Sequence, residues 1–219
     1  MKKIIFFGFL GIALFSCTIA CTIVKNDTNR KGEEGNAYAF SIGTIDPKQY
    51  ANDIWESMVI PRIESLAVDF EELAAGLESD EAGTSKKSGY RLSDRNYYNF
   101  AVKGTVKLLS IDTSSASGSA SLDFYPFDGK EDCRLRIGPV LQGYALRDIQ
   151  SGISPNSFVN QVDWARLATE LNNKVKETVL SHVDFPNMIG KEAELLGVFT
   201  YEGSGAGIAI TPVRIIFQD

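Results

Sequence analysis

The alternation of apolar and polar positions divides the chain into four stretches. After Met1-Lys2-Lys3, an apolar run extends from Ile4 to Ala20 with no charge before Lys25. From Lys25 to about Ile45 the sequence is polar and glycine-containing and has no period, which predicts a flexible tether. Helical spacing begins at Asp46, a good N-cap followed by Pro47, with Gln49 placed to answer the cap. Tyr50, Ile54, Trp55 and Met58 share one face, Pro61 interrupts, and Ile63 and Leu66 continue the stripe. Asp69 and Glu72 form a second capping box, with Val68 and Leu73 at the positions of a hydrophobic staple, and this helix runs to about Ser79. Residues 80–96 predict a charged loop with room for one further helical turn.

From Tyr97 the period changes from 3.6 to 2. Phe100, Val102, Val106 and Leu108 alternate with polar or small residues, and the phase slips at Leu108-Leu109, which predicts a bulge or bend. Gly104 is a second bending point. Ala120, Leu122 and Phe124 mark a second strand, and Cys133, Leu135 and Ile137 a third. Val140 to Gln161 is irregular, with a short helix over Ala145–Ile149. Asp163 is the predicted cap of a long helix carrying Trp164, Leu167, Leu171, Val175, Val179 and Val183, stopped by Pro186. Two strands follow, near Ala193–Tyr201 and Ile208–Phe217, and Pro212 requires the last to bend or to lie on an edge. Three strands, a helix and two strands is the order of an OB-fold. The predicted fold is therefore α+β: a five-stranded OB-fold-like β-barrel with a helix between strands 3 and 4, preceded by N-terminal helices. An α+β sandwich with the same element order is the alternative. The predicted divisions are a signal over 1–21, a tether over 22–45, a helical segment over 46–96 and a barrel domain over 97–219.

The chemistry of the N-terminus refines this picture. A basic start, an apolar stretch and then small residues before cysteine is the layout of a lipoprotein signal. Cys21 follows Thr18-Ile19-Ala20 and Cys17 follows Leu14-Phe15-Ser16, and local chemistry leaves the lipidated residue open between them. An uncleaved membrane helix over Ile4–Val24 is the competing reading, since roughly 20 apolar residues span a bilayer. The whole chain carries 22 basic and 28 acidic residues, a formal charge of −6. Removal of residues 1–21 takes two lysines and no acids, leaving −8. Such a domain repels phosphate backbones, which argues against nucleic acid as a partner.

Five runs carry a resemblance. They are Cys21-Thr22-Ile23-Val24, Tyr98-Asn99-Phe100-Ala101-Val102-Lys103-Gly104 and Ile111-Asp112-Thr113-Ser114-Ser115, then Ile137-Gly138-Pro139-Val140 leading to Gly143-Tyr144-Ala145-Leu146-Arg147-Asp148, and Asn160-Gln161-Val162-Asp163. In order and spacing they resemble the bacterial domain-of-unknown-function family 2291, described as predicted periplasmic lipoproteins, over nearly the whole chain from Cys21. The resemblance implies Cys21 as the lipidated cysteine; Cys17 departs from the family pattern. Because members often sit beside genes for sugar-type ABC importers, it also implies an accessory role in solute uptake, with an importer subunit or solute-binding protein as partner.

No catalytic, cofactor or metal signature is read from the residues. His182 is the chain's one histidine and is expected to pack at a helix end, and a single histidine without paired cysteines does not predict a transition-metal site. Cys133 alternates with core residues and is expected to be buried. Gly203-x-Gly205-x-Gly207 joins two strands and so predicts a hairpin connection rather than a phosphate loop. Glu71-Glu72 and Glu33-Glu34 predict solvated faces. Arg147 and Asp148, in an irregular polar segment near Asn160 and Gln161, are the candidate binding residues. The competing reading pairs Arg147 with Asp148 or with loop carbonyls. Arg134 and Arg136 point outward from the third strand, on the face that OB-folds use for ligands, or are ordinary surface charges. The expected function is a non-enzymatic binding or scaffold lipoprotein without cofactor, the alternative a binder of a sugar or nucleoside.

Overall fold

The N-terminal helix is one element with a widened turn. α1 (Pro47–Ile54) passes through a π-turn at Trp55–Val59 into α2 (Ile60–Leu66). Pro61 has no N–H, and its ring would collide with the carbonyl of Ser57 in a regular helix. The widened turn, in which the Ile60 N–H donates to the Trp55 carbonyl, lets the helix continue where the sequence pattern predicts an interruption. Asp46 caps α1 by accepting from the Lys48 N–H at 3.0 Å. Gln49 does not answer the cap; its amide donates to Asp53 at 2.7 Å. The structure, a computed structural model, describes residues 45–218. The predicted signal, Cys17, Cys21 and all of the predicted tether except Ile45 lie outside the described residues.

A two-residue strand β1 (Val68–Asp69) precedes α3 (Phe70–Ser79), which Asp69 caps by accepting from the N–H groups of Glu71 and Glu72 at 3.0 and 3.2 Å. In place of the predicted loop, α4 (Glu81–Ser88) follows, capped by Asp80.

Five longer strands come next: β2 (Tyr98–Asp112), β3 (Ser119–Phe124), β4 (Cys133–Arg136), β5 (Glu192–Tyr201) and β6 (Ala209–Phe217). Between β4 and β5 lie α5 (Ala145–Asp148) and α6 (Gln161–Thr178). The sheet is mixed and has six strands where the sequence pattern predicts five, because β1 adds a short parallel pairing at Val102 and Lys103 of β2. Each of the five long strands pairs with two others of the five: the order β2–β3–β4–β6–β5 returns to β2 through ten antiparallel positions from Tyr98↔Tyr201 to Lys107↔Glu192. β4 and β6 pair in parallel. β2 closes the ring by serving β5 with its first part and β3 with its second. Its register against β3 shifts between Leu108 and Ser110, at the predicted slip.

β6 pairs with β4 only at Ala209 and Ile210, so Pro212 lies beyond that pairing with β5 alone beside it; the β5–β6 register shifts between Leu196 and Gly197, where Gly197 opposes Pro212. A Cβ on Gly197 would sit 2.4 Å from Ile210 Cγ2 and 2.9 Å from the Thr211 carbonyl, so this close approach needs glycine.

The strands bury Phe100, Val106, Leu108, Leu122, Leu135 and Ile210, and α1 packs against α6 while α2 covers β2 and β5. Phe70 stacks on Phe124 with centroids 4.0 Å apart. The described residues form one compact unit. Asp123, a polar residue between Leu122 and Phe124 in β3, is buried: its carboxylate accepts from the N–H groups of Asp128 and Gly129 and so holds the β3–β4 loop. α6 ends at Thr178, short of Pro186, and the chain continues through 3₁₀ turns at Leu180–His182 and Phe185–Met188.

Candidate functional site

The irregular segment after β4 exposes carbonyls that no ladder satisfies, and side chains from α6 and α2 supply the donors. The Lys176 ammonium reaches the Pro139 carbonyl at 3.2 Å, the Asn172 amide reaches that of Gly143 at 3.1 Å, and Arg62 Nε reaches that of Ile149 at 3.5 Å. Arg147 runs the other way, from the segment to α6. It is 6% exposed; its Nε donates to Asp148 at 2.6 Å and its Nη1 to the Trp164 carbonyl at 3.0 Å. Its guanidinium carbon lies 4.1 Å from the ring centre of Trp164 and 4.8 Å from that of Tyr144. Trp164 leans on Phe158, and Phe158 meets Tyr50 edge-on, so a stack of rings ties the segment to α6 and to the start of α1.

Asn160, not Asp163, is the cap of α6. Its side-chain oxygen accepts from the Asp163 N–H at 2.9 Å, and its amide donates back to the Asp163 carboxylate at 2.9 Å. Arg147 and Asp148 therefore meet the first turn of α6, where Asn160 and Gln161 stand. Arg147, Asp148 and Asn160 each hydrogen-bond within the fold, and Gln161 is exposed. The surface beside this cluster carries exposed apolar side chains: Tyr144, Val159 and Val162 are 56%, 54% and 60% exposed. These three are absent from the sequence-based candidates. Val162 had a signal, since it lies off the Trp164–Leu167–Leu171 stripe and must face away from the core.

A second arginine site lies on β4. Arg134 Nε donates to Glu131 at 3.0 Å, and Glu131 also accepts from the Ser121 hydroxyl. Arg136 donates to the carbonyls of Gln142 and, at 3.4 Å, Ala209, and burial pushes its guanidinium below the ordinary value. A cleft of about 320 Å³ opens on one side, between the β2–β3 turn and both arginines. One of about 120 Å³ opens on the other, toward the glycine-containing β5–β6 connection. Asp112, at the first of these, has its carboxyl held below the usual range by hydrogen bonding to Ser114.

The remaining candidates are placed as follows. His182 is exposed in a 3₁₀ turn rather than at the end of α6, its Nδ1 3.1 Å from the Ser181 hydroxyl. Trp55 lines a cleft with His182. Cys133 is buried, and burial drives its thiol pKa up, away from the reactive thiolate. Gly203–Gly207 joins β5 to β6 as a strand connection. Among the described residues no cluster of three or more histidine, cysteine or carboxylate side chains could hold a metal ion, and no helix is long and apolar enough to cross a membrane.

The element order, the parallel β4–β6 pairing and the arginine face define an α+β protein of the OB-fold kind. A crystal structure of an OB-fold protein from Thermotoga maritima matches with a TM-score of 0.66 at 20% identity, covering 80% of this chain and all of that one, and shows the fold. An OBody solved bound to hen egg-white lysozyme also matches, at a TM-score of 0.27 and 12% identity over 55% of this chain and 94% of that one, too distant to bear on it. The family model for predicted periplasmic lipoproteins, DUF2291, matches residues 11–216, and the chain belongs to that family. It is accordingly a lipid-anchored protein of the periplasmic side of a bacterial membrane. No curated protein matches.

Proposed function

We propose that this lipoprotein is a non-enzymatic binding or scaffold accessory to a solute, sugar-type ABC importer, held by lipid on Cys21 after removal of the signal. Its partner is an importer subunit or solute-binding protein. One observation supports this most: the candidate cluster turns its charges inward and an apolar surface of Tyr144, Val159 and Val162 outward. Aromatic residues over a rigid base are the usual anchors of protein interfaces. The ring of five strands acts as an OB-type barrel that keeps this base rigid.

The test is recovery of the lipidated protein from membranes of its host, with mass spectrometry of the proteins that accompany it. An importer subunit recovered with the native chain, and lost with the Tyr144→Ser, Val162→Ser double variant that still folds by circular dichroism, supports the reading. Recovery of no importer component, or recovery indifferent to these substitutions, overturns it.

A second reading has its own support. The clefts on both sides of Arg136 lie between the two connections that OB-folds use around their ligands, so capture of a sugar or nucleoside there is the alternative. Thermal-shift screening of sugars and nucleosides, with Arg134→Ala as control, distinguishes it.

A further inference from the structure

A cleft of about 440 Å³ lies apart from both arginine sites, between the π-turn, the 3₁₀ turns after α6 and the last strand. We propose that it binds a small amphipathic amine, an organic ammonium ion with an apolar body and an oxygen acceptor.

Its floor is apolar: Trp55, Val179, Val213 and Ile215 line it, and all four are buried. Its rim is charged and unevenly matched. Arg214 is neutralised by Glu64, with 2.8 Å between Nη1 and the carboxylate. Glu56 and Asp184 also line the cleft, and neither has a lysine or arginine within ion-pairing distance among the described residues; Asp184 takes only an amide hydrogen bond from Asn187 at 2.7 Å. The mouth therefore carries an excess of negative charge above an apolar floor, which suits a cation and rejects an anion.

Two further observations single out Trp55. Its indole Nε1 is buried and has no acceptor among the described residues, and a native fold seldom leaves such a donor unmatched. It is also the first residue of the π-turn, and such turns recur at functional sites. Nε1 is shielded from solvent, so a ligand oxygen supplies the missing acceptor by entering the floor beside the indole, and the ring favours a cation nearby.

The sequence contains two tryptophans, so Trp164→Phe leaves Trp55 as the single indole reporter. The full chain in detergent is titrated with 2-amino-1-phenylethanol and with two isosteres, the neutral 1-phenylethane-1,2-diol and the anion mandelate. The expected result is a saturable change in Trp55 emission with the amine, half-saturating at least fivefold below the diol, and no saturation with mandelate. Glu56→Gln combined with Asp184→Asn should erase the preference for the amine over the diol. Calorimetry of the native chain and the double carboxylate variant makes the same comparison without touching Trp164. Equal responses to the three probes, no saturable response to any, or a preference that survives the double variant each overturn the proposal.

Discussion

Arg147 and Arg134 carry the same charge and each pairs with a neighbouring carboxylate, yet they belong to different kinds of surface. Arg147 is buried between two rings, bonded to Asp148 and to a backbone carbonyl. Arg134 stands exposed on a strand, and its one side-chain bond among the described residues runs through Nε. A polar residue in an irregular segment reads as a ligand contact when nothing is known of that segment's carbonyls. Once those carbonyls are matched by Asn172, Lys176 and Arg62, the same residue becomes the tie that holds the segment to α6. The strand arginine has no such duty, because the ladder already satisfies its neighbours.

The largest expected effect tests this contrast. Arg147→Ala leaves the Asp148 carboxylate and the Trp164 carbonyl short of a donor in a buried setting, and should cost about 3 kcal/mol or more of folding stability. Arg134→Ala breaks an exposed pair and should cost less than about 1 kcal/mol. Urea denaturation of the two variants reads both. Equal losses would break the contrast, and Arg147→Lys, which keeps the charge but not the planar fork, should recover only part of the loss.

Gly138 offers a sharper cut of intermediate size. A Cβ there would lie 2.3 Å from the Ser117 carbonyl carbon and 2.4 Å from its oxygen, against backbone that cannot step aside. Gly138→Ala should cost about 1–3 kcal/mol by overpacking. It should also displace the β2–β3 turn at the arginine face while leaving the Tyr144–Arg147–Trp164 stack in place. Backbone amide shifts confined to residues 113–119 and 136–140 are the expected signature; shifts spreading to Trp164 would show that the two regions are one unit.

What could be read from the sequence follows the same division. Period-2 alternation locates the five long strands, and the slip at Leu108-Leu109 becomes the register shift against β3. These signals are local, and each strand's two faces impose them. The pairing of β2 with β5 joins residues some ninety positions apart and leaves no trace in either strand's pattern. Of α4 the sequence pattern shows room for one helical turn and no more, because the helix rests on the Asp80 cap and not on an apolar stripe. Asn160 and Asp163 are both good caps, and only the geometry shows that the first holds the second. Of the candidate site, the polar members were legible as residues. Their inward orientation was not, because it depends on α6 packing over carbonyls from a different part of the chain.

The smallest effect concerns acid. Hydrogen bonding from Ser121, and secondarily Arg134, holds the Glu131 carboxyl below its ordinary value against the opposing push of burial. A depressed carboxyl stabilises the fold above its unfolded value of about 4.3 and loses that contribution as pH falls through the folded value. Glu71, in the first turn of α3, goes the other way: burial, then Asp132 and Asp69, push its carboxyl up. Its charged form therefore costs stability at neutral pH, a cost that protonation relieves as pH falls through the raised value. Both groups are exposed, so each effect should stay well under 1 kcal/mol. Between pH 5 and pH 3, Glu131→Gln should lose less stability than the native chain and Glu71→Gln should lose more. Arg134→Ala should reproduce part of the Glu131→Gln behaviour, since it removes one of the two bonds that depress that carboxyl. Acid-limb slopes that change in the same direction for both glutamates would show that the exposed arginine face and the helix start share one electrostatic environment.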